Sequence, residues 1–146
     1  MFANNRRATF DYHLEETFVA GMVLLGTEVK AIRAGKMNIA ESYIAIENGT
    51  LVLVNCSIEH YEQARVAAQH EMRRKRTLLM RGREIAKLQL QLRKGMTIIP
   101  LNVFQNERGI LKLKFALATG KKAHDKRQAI KERDWKRDKD RLMKGE

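Results

Sequence analysis

Between residues 11 and 24 the apolar side chains fall on alternate positions, Tyr12, Leu14, Phe18, Ala20, Met22 and Leu24. That is the period of a strand with one covered face. Gly21 inside the run predicts a bend or bulge, as a strand curling around a barrel requires. Gly26 and Thr27 end the strand; Thr27 reads as the N-cap of a short helix through Ile32, with Gly35 as its stop. Two strand-like runs, 42–47 and 50–54, flank Asn48-Gly49, the strongest short hairpin signal. Residues 83–94 carry Ile85, Leu88 and Leu92 on one helical face, ended by Gly95. Strands are again predicted over 97–104 and 110–117, joined by a turn at 106–109. In the second, Leu111, Leu113, Phe115 and Leu117 point one way and Lys112, Lys114 and Ala116 the other. Pro100 inside a strand run marks an edge or bulge. The order of long bent strand, hairpin, helix and hairpin is that of a mainly β protein. Its expected architecture is an OB-type β-barrel with two or three short helices.

The pattern changes at Gly120. Residues 120–146 hold eleven Lys or Arg against six Asp or Glu, and apart from alanine their only apolar residues are Ile130, Trp135, Leu142 and Met143. The chain of 146 residues therefore divides into a body, 1–119, and a basic tail, 120–146. Glu132 and Lys136 form an i,i+4 pair, and Asp134 with Arg137 and Asp138 with Arg141 form i,i+3 pairs. The tail is thus expected to be helix-prone, mostly unfolded when free, and ordered on a partner, with Trp135 and Leu142 on one face.

A net charge of +12 favours a polyanionic partner. No run is long enough to span a bilayer and no secretory signal is evident, so neither membrane attachment nor secretion is expected. The single cysteine, Cys56, excludes an intrachain disulfide and fits a cytoplasmic location. His13, His60, His70 and His124 lack the spacing of metal ligands, and no phosphate-cradling glycine loop occurs. Neither catalysis nor a cofactor is expected. The candidate contacts are instead basic clusters: Arg6 and Arg7; Lys30, Arg33 and Lys36; Arg73, Arg74, Lys75 and Arg76 with Arg81 and Arg83; and Lys112 with Lys114. Together, on a fold that commonly binds oligonucleotides, they point to RNA or DNA.

The residues also carry a resemblance. Asn5 to Ala8, Asp11-Tyr12, Glu15-Glu16, Ala20-Gly21, Gly26 to Lys30, Ile32 to Gly35, Ser42-Tyr43, Gly120 to Lys122, Asp125 to Arg127 and Ile130 to Arg133 resemble the SsrA-binding protein (small protein B) family. The resemblance implies a non-catalytic RNA-binding protein of trans-translation. Its barrel would bind the tRNA-like domain of transfer-messenger RNA (tmRNA) and deliver it to stalled bacterial ribosomes, replacing the missing anticodon arm. Elongation factor Tu and alanyl-tRNA synthetase would be partners through the RNA; DNA would not be one. Asn5, Leu79 and Lys112 match family positions for RNA binding. Gly120, Lys121, Lys122, His124, Asp125, Lys126, Arg127 and Trp135 match tail positions tied to the decoding centre and the empty mRNA channel. Val19 stands where the family usually has a glutamate linked to RNA recognition, Thr119 where it has lysine, and His60 and Met72 where it favours proline. An OB-barrel ribosomal protein or general RNA chaperone is the alternative.

Overall fold

Alternation and turn chemistry produce most of the expected elements. The computed structural model describes residues 1–62, 64, 69–120 and 137. Among them the elements run β1 (Ala3–Asn4), α1 (Ala8–Asp11), β2 (Tyr12–Met22), α2 (Gly26–Arg33), β3 (Met37–Asn38), β4 (Tyr43–Glu47) and β5 (Thr50–Val54). Then follow β6 (Ser57–Ile58), β7 (Arg76–Leu79), α3 (Gly82–Gln91), β8 (Met96–Gln105) and β9 (Leu111–Gly120). Asn48 and Gly49 turn the β4–β5 hairpin with φ of 52° and 77°, the left-handed pair that matches strand twist. In the β8–β9 turn, Asn106 Oδ1 accepts from the Arg108 and Ile110 amides, at 3.0 and 2.9 Å.

Seven strands pair in the order β1-β8-β4-β5-β7-β2-β9, and β8 also pairs with β9; β3 and β6 form a separate small pair. All pairings are antiparallel. The chain is therefore mainly β with a few helices and an OB-like sheet topology.

The main core collects Ala20, Ile44, Leu51, Leu53, Val103, Leu113, Phe115 and Leu117 from the strands, closed by Ile32 of α2 and Leu88 of α3. Phe18 stacks on Phe115 with ring centroids 5.6 Å apart. Each fully buried Leu, Ile, Val or Phe of this core contributes about 1.5–3 kcal/mol. Ile85 and Leu92 flank Leu88 as the helical period requires.

A second cluster, Ala8, Ile99 and Ala118 with Tyr12, Leu14 and Leu101, lies outside the first. Two bulges create it. The β2–β9 register slips between Leu14 and Glu16, so Leu14 faces Ala118 while Phe18 faces Phe115. One extra residue moves the side chains beyond it to the other face. The bulge predicted at Gly21 thus falls near Glu15 instead, and Gly21 is paired in register with both Leu79 and Lys112. Pro100 is indeed at a bulge, before Asn102. Thr27 is not the N-cap of α2. Leu25 is, with its amide bonded to Glu28 Oε1 at 2.8 Å, while the Thr27 hydroxyl meets His70 Nδ1 at 2.8 Å.

Candidate RNA interface

Lys112 and Lys114 alternate with the fully buried Leu113, so both stand on the outer face of β9. Cross-strand register then decides their neighbours. Lys112 is level with Phe104 on β8 and Gly21 on β2, and Gly21 is level with Leu79 on β7. One row thus reads Phe104, Lys112, Gly21, Leu79 across four strands. The next reads Asn4, Asn102, Lys114, Val19. Leu79 and Val19 are 57% and 49% exposed, although apolar. A Cβ on Gly21 would lie 3.6 Å from Lys112 Nζ and 3.4 Å from Leu79 Cβ. Both are ordinary van der Waals distances, so the ammonium lies over β2 beside the leucine. The result is a shallow, flat face with cations at its middle.

Asn5 borders this face. Its amide donates to the Leu101 carbonyl at 2.8 Å and its side chain to the Pro100 carbonyl at 3.0 Å, tying the N-terminal segment to the β8 bulge. Arg6 and Arg7 follow and are exposed; Arg7 lies 5.2 Å from the Phe10 ring centroid and 3.4 Å from Asp11. Leu79, Lys112 and Lys114 therefore share one side of the sheet, and Asn5 is tied to the β8 bulge next to Asn4, which joins that face.

The second cluster stands apart on and after α2. Lys30 lies 5.7 Å from the Tyr61 ring centroid, and Lys36 is 3.9 Å from Glu59. Arg33 donates to the Gly109 carbonyl at 2.9 Å, pinning α2 to the β8–β9 turn.

Arg76 is a correction. It was expected to touch RNA, but its side chain is fully buried. Its Nε and Nη2 reach Glu28 Oε2 at 2.7 and 2.6 Å, and its remaining donors go to the Cys56, Glu71 and Met72 carbonyls. No donor remains for a phosphate. Arg74 is partly drawn into the same network through Glu28 Oε1 at 2.5 Å. Burial alone pushes the Glu28 carboxyl up, but the hydrogen bonds from Arg74, the Leu25 amide and Arg76 outweigh it and hold the group below its ordinary value. Burial raises the neighbouring Cys56 thiol to about 11, so it stays protonated at neutral pH.

Gly120 ends β9 opposite Tyr12. Lys121, Lys122, His124, Asp125, Lys126, Arg127 and Trp135 lie outside the described residues. Among the described residues, no group of His, Cys, Asp or Glu is placed to hold a metal ion, and no helix is long and apolar enough to cross a membrane. The sequence reading missed the alignment of Gly21 and Phe104 with Lys112. For Phe104 the signal would have been the β8 and β9 alternation combined with the turn at Asn106; Gly21 is placed only by the β2–β9 register.

An OB-like sheet with lysines and exposed apolar side chains on one face defines a small basic protein of the oligonucleotide-binding kind. The comparisons narrow the class. The profile of the family described as SmpB protein matches residues 2–145, and the chain belongs to that family. The SsrA-binding protein of Caulobacter vibrioides is 52% identical over 145 residues, covering 99% of this chain and 95% of the relative. That of Rhizobium johnstonii is 52% identical over 143 residues, covering 97% and 94%, respectively. The Azorhizobium caulinodans SsrA-binding protein is 54% identical over 143 residues, with coverage of 97% and 89%. A solved structure described as "tmRNA-SmpB: a journey to the center of the bacterial ribosome" superposes with a TM-score of 0.70 at 43% identity, covering 87% of this chain and 92% of that one.

Proposed function

We propose that this protein binds the tRNA-like domain of tmRNA and brings it to stalled ribosomes, acting as a non-catalytic factor of trans-translation. The observation that carries this reading is the in-register row of Lys112, Gly21 and Leu79 in a chain that belongs to the SmpB family over nearly its whole length. The named partners of the similar structure, tmRNA and the bacterial ribosome, support it. In this reading the strand pairings close into an OB-type barrel. Residues 1–119 form the RNA-binding body, and 120–146 act at the decoding centre and mRNA channel. Elongation factor Tu and alanyl-tRNA synthetase are engaged through the RNA, in the cytoplasm.

Lysines at the centre of the face bind phosphate and release counterions, so affinity depends steeply on salt. Filter binding of the tRNA-like RNA is expected to give a log–log salt slope of about −4, for roughly five neutralised phosphates. Converting both Lys112 and Lys114 to alanine is expected to weaken binding and make the slope shallower by about 2. A salt-independent affinity would overturn the electrostatic account. Pull-down from stalled lysate with sequencing tests the partner itself: enrichment of tmRNA supports the proposal, and ribosomal RNA at constant stoichiometry replaces it with a ribosomal protein.

Val19 supplies another test. It is exposed and level with Lys114, so a carboxylate there would meet solvent rather than core. Val19→Glu is expected to leave stability unchanged and tighten RNA binding about tenfold or more, by adding a charge-assisted acceptor worth about 1.5–3 kcal/mol. Weaker binding with a shallower salt slope would show the carboxylate neutralising Lys114 instead.

A further inference from the structure

Among the described residues, Phe104 has no packing role that its position explains. Its neighbour Val103 is fully buried in the core, so alternation puts the Phe104 ring on the outer face, level with Lys112. Phe104 belongs to neither apolar cluster among the described residues, whereas Phe18 and Phe115 stack inside the main one. The ring is half-buried and remains part of the surface. Lys112 does not cover it. Its ammonium leans the other way, over Gly21 on β2. Asn102, two residues back on β8, stands on the same face level with Lys114 and offers both a donor and an acceptor.

We propose that Phe104 is a stacking platform for an unpaired base of the bound RNA, held there while Lys112 and Lys114 contact the flanking phosphates. This rests on the function proposed above and adds a binding residue to it. RNA-binding proteins that read loops stack splayed bases on aromatic rings and hold the backbone with cations set beside them. The row from Phe104 to Lys112 places one of each on adjoining strands, about 5 Å apart in the pairing direction. A protein surface would equally cover a phenylalanine, but the two lysines beside this one favour a polyanion.

The test uses the full chain and the tRNA-like domain of tmRNA, with 2-aminopurine placed at single loop positions. Phe104→Ala is expected to weaken binding about fivefold or more. Its log–log salt slope should match the unmodified protein, because no phosphate contact is lost, whereas Lys112→Ala should make the slope shallower by about 0.9. Phe104→Trp should bind at least as well as phenylalanine. Phe104→Leu keeps an apolar side chain without the aromatic face, and should bind like alanine while unfolding at the same urea concentration as the unmodified protein. Quenching of one 2-aminopurine position that disappears in Phe104→Ala would identify the stacked base. Equal affinity of Phe104→Leu and the unmodified protein would overturn the proposal, as would a parallel loss of salt slope in Phe104→Ala. If the unmodified protein does not bind this RNA, the proposed function itself fails.

Discussion

Arg76→Met is expected to destabilise the protein by about 3–5 kcal/mol, as is Glu28→Ala. Glu28→Ala leaves the buried Arg76 with no counter-charge, and Arg76→Met leaves the buried Glu28 only the partly exposed Arg74. Arg76 and Glu28 are both fully inaccessible, and Glu28 also joins α2 to Arg74 and to the Leu25 amide. Replacing both members by methionine should recover part of the loss, since no charge is then left alone at the centre of the network. Urea unfolding of the single and double variants measures this. The same proteins distinguish a structural arginine from an RNA-binding one: a surface contact would lose affinity at unchanged stability. Acid should act in the same direction. Glu28 is held below its ordinary value in the fold, so its stabilisation is present above the unfolded carboxyl's range, about 4.3, and is lost as pH falls through the lower folded value. Glu28→Gln should flatten that part of the acid limb. A single-variant cost below about 1 kcal/mol would mean the network is no more than a surface pair.

Removing everything after Gly120 is expected to abolish tagging of stalled chains while sparing the body. The cut keeps the Tyr12–Gly120 pair that ends the β2–β9 ladder. Among the described residues, every member of both apolar clusters precedes it. Stability should therefore change little. Affinity for the tRNA-like RNA should fall only several-fold, because the Lys112 and Lys114 face remains. Tagging should fail because Lys121, Lys122, His124, Asp125, Lys126, Arg127 and Trp135 are removed, the groups assigned to the ribosome in the proposed function. Trp135→Ala alone is expected to impair tagging with RNA binding intact. Filter binding and tag addition, measured on one preparation, decide the matter. Normal tagging by the shortened protein would make residues 121–146 a solubilising end.

Local chemistry made much of this protein legible. The two-residue period of Leu111 to Leu117 requires only neighbours along one strand, as does the Asn48-Gly49 turn with its two left-handed residues. The helical face of Ile85, Leu88 and Leu92 is set within three turns, and all three meet the core. The lysine pair on β9 was readable for the same reason. Charge balance marked residues 120–146 as different before any fold was known.

Long-range pairing decided the rest. Arg73 to Arg76 form one basic run in sequence, yet Arg76 turns inward to an acid 48 residues away, and no local pattern distinguishes it from its neighbours. The short strands β1, β3 and β6 carry too few residues to show a period, and exist because a partner strand supplies their hydrogen bonds. Tyr12 and Leu14 share a parity with Phe18 in the sequence but face a different cluster, because the slip at Glu15 is set by the opposing strand. In the same way, Gly21 and Leu79 are far along the chain from the Phe104–Lys112 hairpin pair and meet it only through register. Composition and period therefore determined the longer elements and the sign of the partner's charge. Tertiary structure alone determined which cations remain free to meet it, since burial and cross-strand neighbours depend on contacts that no local window contains.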